Sequence, residues 1–296
     1  MLNALTVDVE DYFQVTAFAK VIDPQDWDIY PSRVENNTTR VLDLLDEHGL
    51  KATFFVLGWV AERFPGLVRT IANRGHEVAC HGYGHQLIYK QDPDTFRQDL
   101  RRSKSVLEQT TGLPVLGFRA PSYSITAQSL WALDVLIEEG FAYDSSIFPV
   151  VHDNYGIPGA KRFPHLITRS SGSIREFPLT TLPMNLLGRK MTLPVAGGGY
   201  LRLLPVGLIR RGMQRINAHE NQPVVLYFHP WEMDPDQPRI KSCFRSRFRH
   251  YHNLDLTEDK LRYLFKGLEF GTMSEVLGLD GNSSSSAFTT GERAEA

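Results

Sequence analysis

The chain has 296 residues, enough for one large domain or two ordinary ones, with 42% hydrophobic and 22% charged residues as in an ordinary soluble globular protein. A net charge of −2 gives no whole-molecule field that would call for nucleic acid, and two cysteines, Cys80 and Cys243, are too few for a disulfide framework. No apolar run reaches the roughly 18 residues of a membrane span, and Met1–Val7 lacks the basic-then-apolar pattern of a signal peptide, so the expectation is a cytoplasmic chain with no integral membrane segment.

Leu2 to Val9 is a short run of β-formers that ends in three acids, Asp8, Glu10 and Asp11. Ser32 to His48 reads as a helix, with Val41, Leu42, Leu44 and Leu45 as its apolar face and Gly49 beyond its end. Ala52 to Leu57 is a continuous apolar strand of the buried kind. A helix is expected over Ala61 to Arg74, and a strand over His76 to Cys80. Asp94 to Thr111 is strongly helical and closed by Gly112. Pro114 to Phe118 is a strand that runs into Arg119, Thr126 to Glu139 is a helix, and Phe141 opens a further short strand into Asp144-Ser-Ser146.

Strands and helices alternating in segments of about thirty residues predict βαβ units on a parallel sheet. Polar residues recur where successive strands end: Asp8, His81, Arg119 and Asp144. Catalytic groups of a (β/α) barrel gather at that end, so the expected fold is a distorted (β/α) barrel. The second half is less regular. Strands are expected at Arg175–Pro178, Met191–Val195 and Pro223–Phe228, the last ending at His229. Helices are expected at Leu201–Ala218 and Lys260–Phe270. One domain over residues 1–280 is expected, followed by a disordered serine-rich tail, 281–296.

The chemistry begins at Glu77-Val-Ala-Cys-His-Gly-Tyr-Gly-His85. Two glycines between His81 and His85 argue against a helix and for a strand running into a tight loop with both imidazoles at its mouth. Imidazole is the commonest nitrogen ligand of zinc. A carboxylate would complete a three-ligand open site. Alternation puts Asp8 and Glu10 on one strand face and Asp11 on the other, and a solvated acidic turn is the plainer alternative. Arg119 could pair with Asp8 and hold it ionised, or be a surface arginine before a rigid turn. Asp144 could orient His229 or merely cap a helix. His229 stands where a general acid would be useful. Cys80 reads as a small buried hydrophobe, and Gly197-Gly-Gly199 as a turn, since the Gly-Lys-Ser/Thr ending of a phosphate loop is missing. Trp27, Trp59 and Tyr83 could stack on sugar rings, with core packing the default. Arg239 to His252 carries basic residues among aromatics and could touch an anionic glycan or a lipid-linked phosphate, or be a solvated face.

Asp8, His81 with His85, Arg119, Asp144 and His229, in this order, resemble the polysaccharide deacetylase family, carbohydrate esterase family 4. The resemblance covers about Leu2 to Val150 and the strand before His229. It implies a distorted (β/α) barrel and removal of N-acetyl groups from amino sugars with a divalent metal, Zn²⁺ foremost. Its substrate would be an acetylated amino-sugar polysaccharide. His81 and His85 match the family's metal pair, Asp8 its base, Arg119 the arginine that tethers the base, Asp144 its fourth-motif acid and His229 its general acid. The family's usual adjacent aspartates are missing here, because Val9 follows Asp8. The third ligand is then Glu10 or Asp11. The oxyanion donor would be a backbone N–H, that of Ser122, and Tyr83 would touch substrate. Gly197–Tyr200 and Phe248–Leu254 look like the subgroup linked to bacterial exopolysaccharide clusters.

Overall fold

The first strand turns alternate residues toward the helices and toward the barrel interior, and this alternation organises the molecule. The computed structural model describes residues 1–186 and 189–279. The expected disordered tail, 281–296, lies outside them. The strands are β1 (Leu2–Val9), β2 (Thr53–Val56), β3 (Glu77–Cys80), β4 (Gly117–Phe118), β5 (Tyr143–Asp144), β6 (His165–Arg169), β7 (Gly172–Glu176), β8 (Thr181–Leu186), β9 (Arg189–Pro194), β10 (Val225–Phe228) and β11 (Glu269–Gly271). Nine of them form one sheet in the order β10-β1-β2-β3-β4-β5-β7-β6, with β11 also paired to β1. All neighbours are parallel except the β6–β7 hairpin. Strands β8 and β9 make a separate two-stranded ribbon. β10 and β6 are not paired with each other, so this (β/α) barrel stays open at that seam.

Leu5, Val7 and Val9 face the helices, together with Phe54, Val56, Val78, Cys80 and Phe118. Ala4, Phe55, Ala79, Tyr143, Val225 and Tyr227 face the interior. Period-two alternation therefore sends Thr6 and Asp8 inward. The register aligns Asp8 with Phe55 and, one position past Val7–Phe228, with His229. At Gly117 a methyl group would sit 1.9 Å from the Tyr143 ring, which crosses the interior there. Glycine is what lets that ring fill the barrel.

The helices are α1 (Val34–Glu47), α2 (Gly58–Arg63), α3 (Pro65–Asn73), α4 (Pro93–Thr111), α5 (Trp131–Glu138), α6 (Gly199–Leu203), α7 (Val206–Arg215), α8 (Phe244–Tyr251), α9 (Thr257–Phe265) and α10 (Met273–Leu277). Two expected helices are each divided by a proline. Pro65 starts α3 at its first position, and Pro205 stands between α6 and α7. A ring in place of an N–H cannot continue the ladder but suits a helix start. Elements without a counterpart in the sequence reading include β6, β8 and the basic helix α8. No helix among the described residues is long and apolar enough to cross a membrane.

Candidate active site

The end of β1 turns sharply, with the Glu10 N–H donating to the Asp8 carbonyl at 3.1 Å. Asp8 and Glu10 thus lie side by side and buried at the mouth of the barrel. Asp8 Oδ1 accepts from Arg119 Nη1 at 2.7 Å, while its Oδ2 has the Tyr123 hydroxyl at 3.4 Å. Arg119 is fully buried and over-determined. Its Nη1 also donates to Thr6 Oγ1, its Nε to the Ser145 carbonyl and its Nη2 to Ser145 Oγ, and its plane lies 4.1 Å from the centre of the Phe55 ring. A charge so fixed holds one carboxylate oxygen and leaves the other to the Tyr123 hydroxyl and the cleft.

His81 and His85 leave the end of β3 on a loop pinned from two sides. The Gly82 carbonyl accepts from Gly58 N–H and Ser103 Oγ, and the Tyr83 N–H donates to Asp99. Gly82 has φ +75°, and a methyl group there would meet Asp99 Oδ2 at 3.1 Å, so a left-handed, close-packed position requires glycine. His81 Nδ1 lies 2.8 Å from the Arg119 carbonyl, which places its proton on Nδ1 and leaves Nε2 as a lone-pair donor. Burial lowers the His81 pKa to about 4, so the ring is neutral, as a metal ligand must be.

Ligand atoms of Glu10, His81 and His85 all lie within 4.8 Å of one another. His85 Nε2 is 2.7 Å from Glu10 Oε2, yet that buried oxygen has no hydrogen-bond partner of proper alignment. Two buried lone-pair atoms converging with no aligned donor between them fit a cation, and two imidazoles with one carboxylate suit zinc or a similar ion. Burial raises the Glu10 pKa, but His85, His229 and His81 outweigh it and bring it down to about 2.

His229 follows β10 and faces this cluster. Its Nε2 lies 3.5 Å from Glu10 Oε1 and 4.0 Å from Asp8 Oδ2. Its Nδ1 and its backbone N–H both point to Glu232 Oε2, at 3.0 and 2.9 Å. Glu232 is held in turn by Arg202 at 2.7 Å, wholly out of solvent. Burial lowers the His229 pKa, but the Glu232 hydrogen bond and the charges of Glu10, Glu232 and Asp8 raise it to about 9. Trp231 donates from Nε1 to Glu10 Oε1 at 3.2 Å and stacks on His250, with ring centres 4.2 Å apart. The cleft above these groups is walled by Thr16, Ser122, Tyr155, Tyr227, Arg249 and His250.

Residues 26–136 match the family model Polysaccharide deacetylase, and residues 145–278 match a domain of unknown function (DUF3473). Residues 26–136 thus carry a polysaccharide deacetylase match. A peptidoglycan-N-acetylglucosamine deacetylase of Bacillus cereus is 30% identical over 140 residues, 43% of this chain and 50% of the relative. The peptidoglycan-N-acetylglucosamine deacetylase PgdA of Listeria monocytogenes is 38% identical over 92 residues, 31% of this chain and 20% of the relative. The chain thus spans half or less of the length of these relatives. Two provisionally assigned polysaccharide deacetylases share the fold. One is from Mycobacterium smegmatis, at TM-score 0.62 and 22% identity, covering 93% of this chain and 88% of the other. The second is from Pseudomonas aeruginosa, at TM-score 0.60 and 13% identity, covering 93% and 89%. The site draws on both matched regions: His81, His85 and Arg119 stand in the first, and Arg202, His229 and Glu232 in the second.

Three residues singled out from sequence stand differently. Asp11 is not with the histidines. Its Oδ2 accepts from Ser32 Oγ and from the N–H groups of Arg33 and Val34, so it caps α1 across the chain while Glu10 joins the imidazoles. Asp144 does not touch His229. Alternation turns it away from Tyr143, toward Glu176, and Ser146 Oγ donates to it at 2.5 Å. Burial raises the pKa of both Asp144 and Glu176, and the charge of Asp144 pushes Glu176 further. Tyr83 lies outside the cleft, its hydroxyl on Glu62 and its ring 3.6 Å from the Arg102 guanidinium. Ser122 does line the cleft at φ +52°, with its Oγ 2.6 Å from Thr16 Oγ1. Sequence reasoning missed Tyr123, Trp231, Glu232 and Arg202. For Glu232, spacing held a signal, since it lies three residues after His229 across Pro230. Arg202, thirty residues before Glu232, left none.

Proposed function

We propose that this chain is a metal-dependent hydrolase that removes N-acetyl groups from the amino sugars of a polysaccharide. The observation that carries this reading is the buried convergence of Glu10, His81 and His85 beside an arginine-held Asp8, with His229 opposite. The names of the relatives support the reaction class. Gly197–Tyr200 and Phe248–Leu254 support an exopolysaccharide or its precursor as the polymer.

A divalent cation held by Glu10, His81 and His85, best matched by Zn²⁺, would supply Lewis acidity and lower the pKa of a water toward about 7. Asp8 takes the proton of the attacking water at Oδ2, the oxygen that Arg119 does not hold. Buried with that guanidinium, the carboxylate cannot rotate away. His229, which carries its proton at neutral pH, donates from Nε2 to the departing sugar nitrogen. The C–N bond breaks, and acetate and a free amine leave. The test is acetate release from an N-acetylated amino-sugar polymer compared with small acetamides. Asp8→Asn should lower kcat by roughly 10²–10⁴-fold with metal retained, and His81→Ala should lose metal and activity together. Full activity of D8N would sink the base assignment.

A further inference from the structure

Between Asp236 and Asp255 the sequence has five basic residues, Arg239, Lys241, Arg245, Arg247 and Arg249, and no acid. The chain totals −2, so this segment at +5 leaves −7 for the rest. Several exposed arginines elsewhere are neutralised, Arg40 on Glu258, Arg101 on Glu139 and Arg102 on Glu62, while Arg69, Arg175, Arg211 and Arg215 stand singly without an acidic partner among the described residues. Among the described residues the arginines of α8 have no acidic partner. Arg245 and Arg249 are four apart on a helix, a like-charge spacing that costs stability. Phe244 and Phe248 stack beside them, 82% and 46% exposed. Folding does not explain this arrangement.

The position of α8 does. Its C-terminal end is fastened to the catalytic layer, because Arg202, which holds Glu232, also donates to the carbonyls of Arg249, His250 and His252. His250 stacks on Trp231, which bonds Glu10. Arg249 itself forms part of the cleft wall with Tyr155. The line of positive charge therefore runs along α8 into the cleft at a fixed distance from His229. A flat surface cannot follow it there, but a polymer strand can.

We propose that α8 is a subsite for an acidic polysaccharide, taking uronate carboxylates on sugars that flank the reacting N-acetyl sugar. The proposal rests on the deacetylase reading for its substrate backbone. Arginine forks suit carboxylates, and the exposed phenyl faces suit the apolar faces of sugar rings.

The test uses metal-loaded full chain with two probes: a polymer alternating N-acetylglucosamine with glucuronate, and a neutral N-acetylglucosamine oligomer. Binding by equilibrium dialysis and acetate release are both measured. The acidic polymer should bind about tenfold more tightly, and raising salt from about 0.05 to 0.5 M should erase the preference. R245Q/R247Q/R249Q should erase it too; these side chains are exposed, so the fold stands. Equal binding of both probes, or an unchanged preference in the triple variant, overturns the proposal. So does arginine-dependent binding to phosphatidylglycerol vesicles with none to the acidic polymer. Selective binding without acetate release from either polymer refutes the deacetylase reading and leaves the subsite. Equal release with equal KM does the reverse.

Discussion

Asp8 and Asp11 show how much three residues of chain can decide. Both are buried carboxylates at the end of β1, yet one sits on a guanidinium and the other on the start of a helix. Asp11→Ala should leave bound metal at one equivalent and cost about 1–2 kcal/mol through the lost cap of α1; metal analysis and denaturant unfolding check it. Glu10→Ala should lose the metal instead. Arg119→Met should cost about 3–5 kcal/mol, because Asp8 would be left charged and unpaired, with Arg119→Met/Asp8→Leu recovering part of it. Glu232→Gln should lower kcat by roughly 10²-fold with metal retained, whereas Asp144→Asn should lower it far less. Equal effects would mean that His229 is positioned by some other group. The Asp8, His81, Arg119 and His229 positions were visible in sequence because each stands at a strand end. Tyr123, Trp231 and Arg202 were not, because a contact that closes only in three dimensions leaves no spacing to read.

At the scale of elements, strand alternation decides what enters the barrel. β5 points Tyr143 inward and Asp144 outward, and this geometry separates Asp144 from His229. Tyr143 needs Gly117 beneath it, and Gly117→Ala should cost about 1–3 kcal/mol by overpacking. A Tyr143→Ala partner change should reduce that penalty, a coupling that a double-mutant unfolding cycle measures. β1 to β5 could be read as strands in order because they are short apolar runs with polar ends. α8 escaped because three arginines interrupt its aromatic stripe, and β8 because Pro183 interrupts the pattern of β-formers.

Across the whole molecule, buried neutral histidines set the acid limit. His76 packs on Phe54, its Nδ1 accepts from the Ala52 N–H at 3.2 Å, and burial lowers its pKa to about 4. The folded pKa is below the unfolded value of 6.5, so the unfolded chain binds the proton first. Stability is full above pH 6.5 and falls as pH drops toward 4. His76 should therefore contribute to the loss of stability by pH 5, and unfolding at pH 7 and 5 should show a smaller drop in His76→Gln. A ligand bound only by the folded state adds to stability. Stripping metal with a chelator should therefore lower Tm, and that shift should vanish in His81→Ala.

Local chemistry in the chain determined the alternating strands and helices, the parallel barrel, the histidine pair and the acids at the strand ends, since each follows from a short-range pattern of side chains. Tertiary structure alone decided which acid meets the imidazoles, which carboxylate steadies His229 and which face of α8 borders the cleft. Those outcomes depend on where β1 turns, on how β5 alternates and on an arginine from α6 reaching Glu232 in the turn after β10. They are distances between segments far apart in sequence, and a residue pattern does not encode distance.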